Sequence, residues 1–97
     1  MSMWSATVNV SPLPEHPQYW EMGFGWLVVY LTGGTREEAA MRAAGLAGLL
    51  WYKVESTRIE VIEAPPYPRE VGLRQVYDEA TLRGLSWLVV ACPTGAE

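Results

Sequence analysis

Phe24-Gly25-Trp26-Leu27-Val28-Val29-Tyr30-Leu31, followed at once by Thr32-Gly33-Gly34-Thr35-Arg36-Glu37-Glu38, is the stretch whose pattern decides the fold. The first eight residues are apolar on both alternating faces. That describes a central strand covered on both sides, or one whose second face meets a partner. Thr32-Gly33-Gly34 stops the strand. Thr35 and Glu38 then stand at capping-box spacing, where the hydroxyl accepts from the Glu38 amide and the carboxylate reaches back. A helix therefore starts here, and from Ala39 to Tyr52 its only charge is Arg42. Ala40, Ala44 and Gly48 recur every four residues, a line along which another backbone can approach, which predicts a helix buried on more than one side.

Upstream, Trp4 to Val10 alternates, with Trp4, Ala6, Val8 and Val10 on one face and Ser5, Thr7 and Asn9 on the other. This reads as an edge or one-sided strand. Pro12, Pro14 and Pro17 remove backbone donors and fix φ, so Ser11 to about Met22 is expected to be a long irregular connection. Downstream, Thr57 to Glu63 reads as an edge strand with Ile59 and Val61 inward, ending at Pro65-Pro66-Tyr67-Pro68. Pro68 to Arg83 has the apolar spacing of an amphipathic helix with Gly84 as its C′ stop, and Leu85 to Cys92 reads as a second central strand.

The order β-β-α-β-α-β without repeats predicts a single α+β domain over residues 1–97, a two-layer sandwich of a four-stranded sheet and two helices. The alternative is a small α/β fold with a parallel β-α-β-α-β core. In it the Gly33-Gly34 turn, Ala64 to Tyr67 and Cys92 to Gly95 would gather at the carboxyl ends of three strands, where such sheets bind ligands.

With seven Lys and Arg against eleven Asp and Glu, the formal charge is −4, so the counterion-release term that drives nucleic-acid binding is missing and no direct nucleic-acid partner is expected. Fifteen of the eighteen charged residues lie between Arg36 and Arg83. The nearly charge-free ends imply burial in the sheet or cover by another chain. The lone Cys92 forms no internal disulfide, and Met1-Ser2-Met3-Trp4 lacks a basic region and an apolar run, which together imply a cytoplasmic protein. The uncharged runs Met22 to Thr35, Ala43 to Tyr52 and Gly84 to Ala96 fall short of the ~20 residues of a spanning helix, so no membrane is expected.

Catalytic, metal and cofactor signatures do not emerge. His16 stands alone in the proline-rich connection and reads as a surface residue, and Cys92 at a strand end reads as an inert thiol. Glu60, Glu63, Asp78 and Glu79 have Arg58, Arg74 and Arg83 nearby in sequence and read as solvated ion pairs. Gly33, Gly34 and Thr35 offer free amides at a helix N-terminus, but Glu37 and Glu38 in the same turn already complement the dipole. The string from Gly33 to Ala39 resembles the helix entry of HicB-type antitoxins. The likeness spans about ten residues from Leu31 to Ala40, and since a capping box after a glycine turn produces that string in unrelated folds, no membership follows from it.

Five tryptophans and five tyrosines exceed what so small a core can centre, and such residues anchor interfaces. The expected function is therefore non-enzymatic: a protein-binding module, an inhibitor or regulatory adaptor, using Trp26, Val28, Tyr30, Trp51 and Trp87, with a protein partner, a homodimer or both. By analogy alone, this extends to the small inhibitors that phages and mobile elements carry against host systems. The rival expectation is a homo-oligomeric ligand-binding protein or enzyme with its pocket at Gly33, Gly34 and Thr35.

Overall fold

A computed structural model of the chain describes residues 2–17, 19–63 and 71–93. The elements follow in the order β1 (Ser2–Pro12), β2 (Met22–Gly33), α1 (Arg36–Leu49), β3 (Tyr52–Ile62), α2 (Val71–Arg83) and β4 (Leu85–Pro93). The four strands form one sheet in the order β3-β1-β2-β4, with every neighbouring pair antiparallel. A parallel core is thereby ruled out. β4 ends at Pro93 opposite Met22, whereas β2 ends at Gly33 beside the Ser2 end of β1. The carboxyl ends of β2 and β4 thus lie at opposite ends of the sheet; Ala64 to Tyr67 lie outside the described residues.

β1, read as an edge or a one-sided strand, is interior and one-sided: the hairpin sets β2 on one side of it, the α1 crossover returns β3 to the other, and only its Ala6, Val8 and Val10 face is fully buried. β4 is an edge, not central. Being apolar on both faces reports cover on both faces rather than neighbours on both sides, and β4 meets one helix-covered core on each. β3 is an edge strand, as its outward charges imply.

The helices lie on opposite faces, which makes three layers rather than two. On one face Ala6, Val8, Val10, Leu27, Val29 and Leu31 are fully buried against Ala39, Ala43 and Ala47 of α1. On the other, Val76 and Ala80 of α2 close over Tyr30, with Met3, Val28, Ile62 and Leu88 around them. The period-2 alternation of the strands sends adjacent residues to these two cores. In α1 the buried line is Ala39, Ala43 and Ala47, one residue off the expected line through Ala40, Ala44 and Gly48, and Met41 and Leu49 are exposed. The helix is buried on one side only.

Local chemistry explains the boundaries. Thr35 is the N-cap of α1, its Oγ1 accepting from the Glu38 amide at 3.1 Å. The helix ends at Leu49 rather than near Tyr52 because Trp51 turns left-handed, φ 65°, with its amide on the Gly48 carbonyl. Tyr52 then opens β3. Gly84, φ 89°, ends α2: its amide donates to Ala80 at 2.8 Å, and its carbonyl accepts from Thr32 of β2 at 2.9 Å.

His16 is not a plain surface residue. Its ring stacks at 4.7 Å on Tyr52, and backbone bonds from the His16 amide to Leu13 and from the Leu13 amide to Trp51 tie the β1–β2 connection to the start of β3. Burial raises the Tyr52 phenol above its ordinary value of 10.0.

Gly84→Ala is expected to destabilise by about 1–2 kcal/mol, since a side chain is strained at that φ. Gly45→Ala, mid-helix with open space around it, is expected to stabilise by about 0.5–1 kcal/mol. Chemical denaturation reads both, and equal shifts would contradict the assignment. Because the folded Tyr52 phenol titrates above its unfolded value, its contribution is intact below pH 10 and is lost as pH rises through the folded value. Tyr52→Phe should flatten that alkaline loss; an unchanged slope above pH 10 would sink the assignment.

Candidate functional site

α2 crosses its face near the end where Ile62, Met3 and Thr32 pair, and leaves the other half of that face open. Pairing across the sheet builds the open half in rows. Arg58, Thr7 and Val28 form one, whose β4 member Leu88 packs against the α2 core, and Ser56, Asn9, Trp26 and Val90 the next. Phe24 follows on β2 toward the Met22 end. The resulting groove has a volume of about 630 Å³, lined by Thr7, Trp26, Val28, Ser56, Arg58 and Val90 among others.

Its two walls differ in chemistry. On the β2–β4 side Trp26 and Val90 remain 38% and 50% exposed, far above what a folded core leaves on aromatic and branched side chains, and Phe24, 44% exposed, lies beyond the groove on β2. On the β3 side Arg58 and Glu60 form a 3.5 Å ion pair whose partners are both largely exposed. Between them runs the polar face of β1, Ser5, Thr7, Asn9 and Ser11, with Ser11 Oγ donating to Glu55 Oε1 at 2.9 Å. Asn9 Oδ1 is buried and has no hydrogen-bond partner among the described residues. An acceptor held this way is a cost the fold carries alone.

Of the residues expected to bind a partner, the groove brings together Trp26 and Val28. Tyr30 shares their face but lies 6% exposed beneath α2, its ring edge-on to Tyr77. Trp51 is exposed in the α1–β3 turn, and Trp87 is exposed on β4 in register with Val29, on the face that packs α1. Phe24, Thr7, Ser56, Arg58 and Val90 went unsingled by sequence reasoning. Parity along β2 signals Phe24, but the others depend on pairing between strands distant in the chain.

At the Gly33-Gly34-Thr35 turn the Gly33 carbonyl and the Thr35 hydroxyl have partners within the protein. Trp4 Nε1–H donates to the Gly33 carbonyl at 3.0 Å, and Arg42 donates to the Thr32 carbonyl at 2.6 Å. The Thr35 hydroxyl serves the cap, and a Cβ built on Gly33 would come within 3.8 Å of the Glu38 carboxyl. An anion approaching these amides meets a carboxylate first. Among the described residues no group of three or more His, Cys, Asp or Glu could hold a metal ion, and no helix is long and apolar enough to cross a membrane. Cys92 pairs with Phe24 in the ladder.

Compared with models of protein families, with curated protein sequences and with solved structures, the chain matches none.

Asn9→Val should raise stability by about 1 kcal/mol, because it removes an unpaired buried acceptor and places a β-branched residue on an interior strand. A fall in the denaturation midpoint would show that the Asn9 amide is paired in solution.

Proposed function

We propose that the protein is a non-enzymatic binding module, an inhibitor or regulatory adaptor, that holds a segment of another protein in the open half of the α2 face. The observation that carries this reading is the groove itself. It sets an exposed Trp26 beside Val28 and Val90, with a polar β3 wall opposite. An aromatic anchor beside groups able to pair with a main chain is the makeup of an interaction hot spot with a polar rim. An extended peptide would lay apolar side chains against Trp26 and Val28 and direct polar ones to Ser56, Arg58 and Glu60. A contact of this kind needs no cofactor and no metal.

Selection from a random peptide library on the immobilised protein tests the reading. Peptides with at least one large apolar residue should be enriched, and Trp26→Ala should weaken them at least about tenfold, or ~1.4 kcal/mol. Trp51→Ala, away from the groove, should leave them within about twofold. Absence of enrichment, or equal binding by the Trp26 variant, would refute the proposal.

A further inference from the structure

Asn9 stands between Ser56 of β3 and Trp26 of β2, and both of these neighbours line the groove. Its Oδ1 is closed to solvent and accepts no hydrogen bond among the described residues. Two nearby donors are committed elsewhere. Ser11, two residues along the same face, donates to Glu55 at 2.9 Å, and Arg58 in the next row pairs with Glu60 at 3.5 Å. The pairing of β1 with β3 also shifts register directly after Asn9. Ser56 opposes Asn9 and Val54 opposes Val10, so Glu55 is the extra residue of a bulge. Bulges re-aim side chains and collect beside binding sites.

The sheet itself has no need of an amide here. Asn is a poor strand former, β1 is interior, and an unpaired buried acceptor lowers stability, so an apolar side chain would serve the ladder better. A polar group that weakens the fold while standing among the residues of a binding groove is accounted for when its hydrogen bond is made to the ligand.

We infer that Asn9 is a specificity-determining residue of the groove: its Oδ1 accepts a hydrogen bond from an Asn or Gln side chain of the bound segment, while a neighbouring apolar residue of that segment rests on Trp26. The inference rests on the groove being the binding site and adds the chemistry that the site selects. The donor is neutral because the charges along β3 pair among themselves, Lys53 with Glu55 and Arg58 with Glu60. An ion brought against Trp26 and Val90 would lose its water with no counter-charge to replace it. A carboxamide fits better than a hydroxyl because it carries a donor for Asn9 and, on the same rigid group, an acceptor for the Ser56 hydroxyl beside it. Docking turns the Asn9 amide toward the groove about χ2, a broad torsion.

Peptide selection on the full chain, followed by a double-mutant cycle, tests it. Peptides enriched on the wild type should carry Asn or Gln next to a large apolar residue. Exchanging that residue for its apolar isostere, Leu or Met, should weaken binding to the wild type at least about tenfold, but to Asn9→Val or Asn9→Leu by no more than about twofold. Both variants should also unfold at higher denaturant than the wild type, which a merely structural Asn9 would not allow. Circular dichroism identifies a variant that fails to fold, and the other then decides. Absence of any enriched peptide refutes the groove as the binding site, and this inference with it. Peptides that depend on Trp26 but lack a carboxamide, or whose carboxamide matters equally to the wild type and the Asn9 variants, overturn this inference alone. So does a lowered denaturation midpoint, or failure to fold, in both variants.

Discussion

The antiparallel ladder between β1 and β2, from Ser2 opposite Gly33 to Val10 opposite Gly25, is the constraint from which the other contacts follow. Both strands are interior, so their register fixes the places of β3 and β4. It also fixes parity. Ala6, Val8, Val10, Leu27, Val29 and Leu31 share the α1 face, and a slip of β1 by one residue would turn Ala6, Val8 and Val10 toward α2 while sending Ser5, Thr7 and Asn9 into the alanine seam of α1. Because that seam is made of Ala39, Ala43 and Ala47, it leaves room for branched strand residues and no room for error.

The open half of the second face follows from where α2 packs. It lies on β4 and β2, closing over Tyr30, Val28 and Leu88, and leaves Trp26 farther along β2 uncovered. The chain resolves this by making the uncovered stretch of β1 polar with Thr7 and Asn9, yet it keeps Phe24, Trp26 and Val90 apolar on the neighbouring strands. Polar β1 residues make exposure tolerable; the apolar neighbours make it costly unless something lies against them.

Much of the local structure was legible in the sequence because its causes are local. The Thr35 cap, the Gly84 stop and the alternation from Trp4 to Val10 each depend on residues within a turn or a strand of one another. The order of strands was not, since the partner of Ser5 is Glu60 on one side and Tyr30 on the other, far away along the chain. Hence β1 reads as an edge or a one-sided strand and β4 as central. The early end of α1 was hidden as well, because a left-handed Trp51 has no propensity signature of the kind a glycine gives. Trp26 and Val28 could be singled out as apolar residues on a doubly apolar strand, but their polar companions Thr7, Ser56 and Arg58 join them only through the sheet.

The strand order also divides the molecule by the length of chain each pairing closes. β1 and β2 meet across residues 13–21, the least chain that any of the pairings closes, whereas β3 reaches β1 only after α1 is in place, and β4 closes on β2 last in the chain. Loop-closure entropy makes the hairpin the pairing formed at least cost, with the edges joining later. The strand order thus seats Trp26 and the polar β1 floor of the groove on the two interior strands, while Arg58 and Val90 stand on the two edge strands.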